Sequence, residues 1–282
     1  MNSPDEIAGS VVKLGKKKAE APSLKLLILG VIAGMFIALA AVASNTASAM
    51  IENPGVSKLV GALLFPAGLS MVLVAGSELF TGNSLIIIAV LEKQAPVKGL
   101  LKNWLFVYIG NFIGAVLIAA LINLSGQTGM FGGQLAALTV KIAAAKTSLT
   151  QVSAFVLGLL CNFLVCIAVW MSFAAKDVAG KIIGLYFPVM LFVLCGFEHC
   201  VANMYYIPAG LFASANPAYA NAVFSAGINT AALTWGNFFV KNLIPVTLGN
   251  IAGGVITVGC AYWYVYLKKA KAAREQTQTI QN

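Results

Sequence analysis

The sequence has little charge and almost no histidine or arginine. Of its 282 residues 10% are charged; His199 is the single histidine and Arg274 the single arginine. A soluble domain carries roughly 25% charged residues. This chain is 60% hydrophobic with a mean hydropathy of +0.89, so it reads as an all-α integral membrane protein. One histidine and five cysteines without a CxxC pair leave no clustered ligand set for a metal. Cys161, Cys166, Cys195, Cys200 and Cys260 fall in apolar stretches and are expected to be small buried hydrophobes. The first twenty residues, MNSPDEIAGSVVKLGKKKAE, hold no apolar core of a cleavable signal. With no nucleotide loop and no soluble domain, an enzyme is not expected, and neither is a cofactor.

What is present is a set of six hydrophobic regions, at about 24–44, 58–91, 104–124, 150–174, 182–214 and 243–267. Four have the length of one bilayer crossing, near 20 residues. The second and fifth are longer and are interrupted by GSELFTGNS (76–84) and GFEHCVANM (196–204). Of the 18 basic residues, 14 lie in the N-terminal segment, the loops after regions two and four, and the tail. The other four are Lys58, Lys141, Lys146 and Lys241. The positive-inside rule places both termini in the cytoplasm, of a bacterial inner membrane in this reading. The net charge of +9 is therefore topology and not a nucleic-acid footprint. Residues 1–23 form an N-terminal segment, 24–267 a six-span membrane domain, and 268–282 a tail. Ile7, Val11 and Leu14 have helical spacing, which fits a short interfacial helix as well as a solvated tail.

Only two of the nine carboxylates, Glu78 and Glu198, lie inside hydrophobic regions. Each begins Glu-x4-Asn: ELFTGN from Glu78 to Asn83, and EHCVAN from Glu198 to Asn203, 120 residues apart. A second echo follows in the same order, GNFIGAV (110–116) and GNIAGGV (249–255). The chain is thus expected to hold two repeats, about 24–124 and 150–267, of three spans each. Three is odd, so the second copy is inverted, with a site near the membrane midplane between broken second and fifth helices. Glu78, Glu198, Asn83 and Asn203 are expected to brace those breaks, the glutamates by accepting backbone N–H bonds. His199 has Leu79 as its counterpart. A unique polar residue in a symmetric frame points to function. Thr81 is placed to face it, Asn162 is either helix–helix glue or a pore donor, and Lys146 is an interfacial or vestibule lysine. NPA at 216–218 occurs once and reads as a loop turn.

ELFTGN, NWLFVYIGNFIGA, GLLCNFLVCIAVWMS, GFEHCVANMYYIP and NLIPVTLGNIAGG, in this order, resemble the signatures of the formate/nitrite transporter family. The resemblance implies an aquaporin-like homopentamer in the lipid bilayer, one pore per protomer, for small monovalent anions such as formate, nitrite, hydrosulfide and lactate. It assigns His199 as the central histidine, Thr81 as its partner, Asn162 as the span-four asparagine and Lys146 as the vestibule lysine. It also assigns Leu69, Leu79 and Phe80 to one constriction and Phe65 and Phe192 to the other. The formate-channel branch reads Asp-Leu-Phe-Thr-Ser-Thr where this chain has ELFTGN. The whole is most similar to the hydrosulfide-channel branch of clostridia. A neutral-solute channel and a proton-coupled formate/nitrite symporter are the alternatives. The first lacks paired NPA motifs and an arginine filter.

Overall fold

The computed structural model describes residues 1–268; all of the expected tail after Lys268, including Lys269, Lys271 and Arg274, lies outside them. Helix α1 (Pro4–Glu20) is started by Ser3, whose hydroxyl accepts from the Glu6 amide while Glu6 accepts from the Ser3 amide. These bonds hold the exposed Glu6 carboxyl below its ordinary range, the Ser3 backbone bond most of all. α1 buries Ile7, Ala8, Val11, Gly15 and Ala19, so it is built into the bundle and is not a solvated tail. Then come α2 (Ser23–Ser48), α3 (Pro54–Leu64) and α4 (Pro66–Ala75). A non-helical stretch and a 3-10 turn (Gly82–Leu85) lead to α5 (Ile86–Leu91) and α6 (Val97–Leu124).

The second half opens with α7 (Gln134–Thr147), a helix the hydropathy pattern did not single out. α8 (Gln151–Ser172), α9 (Val178–Leu194) and α10 (Cys200–Ala215) follow, then a short α11 (Ala220–Ser225). The described chain ends in α12, Trp235–Lys268, which contains π-helical turns. Five stretches, Ser23–Ser48, Pro54–Ala75, Val97–Leu124, Gln151–Ser172 and Trp235–Lys268, are long and apolar enough to cross a membrane. Gly82–Leu91 and Val178–Leu194 are shorter apolar helices.

Glycines let the main helices touch backbone to backbone. A Cβ on Gly34 or Gly114 would run into the Asn111 or Val31 carbonyl, which fixes α2 against α6. Gly249 and Gly253 meet the Phe155 and Leu159 carbonyls in the same way, fixing α12 against α8. Asn216 of the NPA tripeptide accepts from the Ala218 amide and caps a 3-10 turn at Pro217–Tyr219. The cysteine expectation needs correction at two positions, since Cys260 is only half-buried. Cys161, Cys166 and Cys200 are buried, but Cys195 is exposed. It is the C-cap of α9, and the chain turns away at Gly196 with φ +71°.

The two interruptions close in the same way. α4 stops at Gly76 (φ +83°), and α9 stops one residue before Gly196 (φ +71°). An L side chain there would cost about 1–2 kcal/mol. Gly76→Ala is therefore expected to lower the melting temperature by several degrees without abolishing assembly, as measured by scanning fluorimetry; nothing within 4 Å crowds the new methyl.

Candidate functional site

The chain leaves helical geometry at 77–81 and again at 197–199. The backbone groups freed there need partners at depth. Matched asparagines supply them. Asn111 Nδ2 donates to the Gly30 and Glu78 carbonyls at 2.7 and 2.9 Å, and its Oδ1 accepts from the Phe80 amide at 2.9 Å. In the other half Asn250 Nδ2 donates to the Gly158 and Glu198 carbonyls at 2.7 and 2.9 Å, and its Oδ1 accepts from the Cys200 amide at 2.9 Å. The Glu78 amide donates to Leu29 O, and the Glu198 amide to Leu157 O, both at 3.2 Å.

The glutamate carboxylates do something other than expected. They accept from side chains, and none of their hydrogen bonds comes from a backbone N–H among the described residues. Glu78 Oε2 accepts from Asn83 Nδ2 (2.8 Å) and Lys18 Nζ (3.0 Å). Glu198 accepts from Asn203 Nδ2 (2.6 Å), Asn242 Nδ2 (3.1 Å) and Lys146 Nζ (2.8 Å). Asn103 and Asn242 complete the two clusters: each accepts from Asn83 or Asn203, and each donates to the carbonyl of its lysine, Lys18 or Lys146. The physical reason is charge. A carboxylate at this depth needs a cation, and amide donors, one at Glu78 and two at Glu198, fill lone pairs that remain. Lys18 and Lys146 come from α1 and α7, so each half includes the helix before its first long span, which neither expected repeat contained.

Sequence reasoning passed over Lys18, Asn103, Asn111, Asn242 and Asn250. A signal for four of them was available: KNWLFVYIGN (102–111) and KNLIPVTLGN (241–250) share Lys-Asn at the start and Gly-Asn at the end.

Thr81 and His199 meet between the two clusters. Thr81 Oγ1 lies 3.0 Å from His199 Nε2, and both residues are buried. His199 is the N-cap of α10, and its Nδ1 accepts from the Ala202 amide at 3.1 Å. An accepting Nδ1 carries no proton, so the neutral ring has its proton on Nε2 and donates to Thr81. The hydrogen of the Thr81 hydroxyl then remains available to a third group. Asn162 Nδ2 contacts Thr81 O (3.2 Å), Ser84 Oγ (3.1 Å) and Asn250 O (2.6 Å). Its amide hydrogens are engaged in holding the Thr81 segment.

The Phe192 ring stacks on His199, centroids 5.7 Å apart, and Phe65 meets Phe192 edge-on at 5.8 Å. Beyond them opens a cavity of about 630 Å³, lined among others by Lys58, Lys146, Glu198, His199 and Tyr206. Leu69 and Leu79 face a much smaller cavity of about 50 Å³ that α1 covers with Val11, Leu14 and Lys18. Phe80 packs edge-on against Trp104 and Tyr108 and lines neither cavity.

Residues 5–264 match the family model described as formate/nitrite transporter. A probable formate transporter of Methanothermobacter thermautotrophicus is 40% identical, with 95% of this chain and 98% of that one covered. Formate channel FocA of Haemophilus influenzae is 43% identical over 84% of each chain. The solved pentameric formate channel with formate bound superposes with a TM-score of 0.77 at 38% identity, covering 87% of this chain and 98% of that one. The buried polar clusters, the apolar helices and these likenesses over nearly the whole length agree: the chain is a multi-pass membrane protein and belongs to the formate/nitrite transporter family, a family of transporters and not of enzymes.

Proposed function

We propose that the protein is a homopentameric channel that passes small monovalent anions across the membrane at the His199–Thr81 contact. The observation that carries this reading is that contact itself: a neutral imidazole and a hydroxyl, both buried, 3.0 Å apart, between an aromatic gate of Phe65 and Phe192 and an apolar one of Leu69 and Leu79. In this reading the chain crosses the membrane six times, three plus three in opposite senses, with the second and fifth crossings broken at Gly76 and Gly196. Both termini are cytoplasmic, so Lys18 faces the cytoplasm and Lys146 the outside. The matched bonds of the two halves support the repeat, and the solved pentameric relative supports the assembly.

A bare anion meets a large desolvation cost among Leu and Phe side chains. The Thr81 hydroxyl, oriented by Nε2–H, offers it a hydrogen bond between the two apolar stretches. Proton donation by His199 requires a second ring proton at Nδ1, where the α10 cap bond now is. The geometry therefore favours hydrogen bonding over acid catalysis of permeation. Thr81→Val keeps the shape and deletes the hydroxyl, so pentamers are expected to form while anion flux falls at least tenfold. Unchanged flux would make Thr81 a turn residue only.

Formate heads the substrate panel, since the relatives named above carry that name. Hydrosulfide is the second reading, favoured by ELFTGN. Flux of formate, nitrite, sulfide and chloride into reconstituted vesicles ranks them. Swelling in glycerol but not in sodium formate would replace the anion channel with a neutral-solute channel.

A further inference from the structure

The two brace clusters differ in how the lysine is held, and Asn242 adds a bond to Glu198 that Asn103 does not make to Glu78. Lys18 Nζ donates to both Glu78 Oε2 (3.0 Å) and Asn83 Oδ1 (2.7 Å). Lys146 Nζ donates to Glu198 Oε1 at 2.8 Å, and Asn203 Oδ1, the counterpart acceptor, is buried without a partner. Asn203 is fully buried, and its Nδ2 is spent on Glu198 and Asn242. A buried carbonyl without a donor costs free energy, so something holds the Lys146 ammonium away from it. Tyr206 is the difference between the halves that touches the ammonium itself. Its ring centroid lies 5.4 Å from Lys146 Nζ, whereas the residue 120 positions earlier is Ile86. An aromatic face attracts an ammonium electrostatically, and an aliphatic side chain does not. Lys146, Asn203, Tyr206 and His199 all line the large cavity.

We infer that Tyr206 is a positioning residue: it holds the Lys146 ammonium off Asn203, so that the N–H donors Glu198 leaves free face the cavity and take up a small monovalent anion. The inference rests on the proposed reading of the cavity as an anion entrance. Lys18 has no such freedom, since two of its three N–H donors are committed inside its own cluster. The two mouths are therefore unequal, and the Lys146 mouth binds anions more tightly.

The test is sided formate uptake by reconstituted pentamers. Tyr206→Ile installs the residue that the other half carries. Its KM for formate supplied on the Lys146 side is expected to rise about 5-fold, the size of one cation–π contact at a solvent-facing site. The maximal rate and the KM from the α1 side are expected to stay the same. Tyr206→Phe keeps the ring and restores the affinity. Lys146→Gln, which keeps a donor to Glu198 without the charge, raises the same KM further. If Lys146→Gln raises KM and Tyr206→Ile does not, the positioning role is wrong and the entrance reading stands. If neither raises it, the entrance reading itself fails. Tyr206→Leu replaces Tyr206→Ile if the latter does not assemble. A map of the unaltered channel with Nζ bridging Glu198 and Asn203, as Lys18 bridges Glu78 and Asn83, overturns the inference without any variant.

Discussion

Asn250→Leu is expected to leave little or no assembled protein. Leucine keeps the branching of asparagine but strands three backbone groups at once, the Gly158 and Glu198 carbonyls and the Cys200 amide. Each stranded buried group costs about 1–3 kcal/mol, so the sum reaches or exceeds a substantial part of the stability of an ordinary domain, about 5–15 kcal/mol. Glu198→Ala should fail in the same direction for a different reason. It leaves the Lys146 ammonium unpaired beside two amide donors, Asn203 and Asn242. Breaking a buried ion pair by removing one partner costs about 3–5 kcal/mol. Size-exclusion yield in mild detergent and the melting temperature read both variants. If Glu198→Ala assembles normally and loses only transport, the carboxylate is a transport residue and not a brace.

The second large effect concerns flux. His199→Ala deletes both ring nitrogens, so it removes the Thr81 contact and the α10 N-cap together. The cap is worth about 1 kcal/mol, so the pentamer should survive with a slightly lower melting temperature. Anion selectivity and rate should not survive, because the hydroxyl is no longer held. His199→Asn separates the two possible roles of the ring. Asparagine is a good N-cap and keeps a donor, but it does not titrate. If hydrogen bonding is the mechanism, this variant conducts and its pH profile matches the unaltered protein. A profile that flattens in His199→Asn would show that the ring carries a proton.

The Glu-x4-Asn repeat was legible because it recurs inside apolar sequence, where any carboxylate stands out. From it followed the positions of both interruptions and the meeting of Thr81 with His199. The lysines were harder to read. Lys18 looked like one more positive charge in a cluster that sets topology, and its role depends on α1 folding inward through Ile7, Val11 and Gly15. α7 escaped because two lysines in a 14-residue stretch lower its hydropathy below that of a span. Asn111 and Asn250 sat within echoes already visible in the sequence. Their function was hidden because an asparagine beside glycine reads as a turn until the carbonyls it serves are known. The glutamates were seen as braces, but their partners were mistaken for backbone. Sequence spacing alone does not show that a lysine from a distant helix arrives to neutralise each one.

The central claim is that the anion passes in contact with the Thr81 hydroxyl and the neutral His199 ring. The most direct measurement is a high-resolution cryo-EM map of the channel in saturating formate. The account predicts anion density within hydrogen-bond distance of Thr81 Oγ1, with Nδ1 of His199 still accepting from the Ala202 amide. Anion density confined to a route that leaves the Thr81–His199 bond untouched would contradict it.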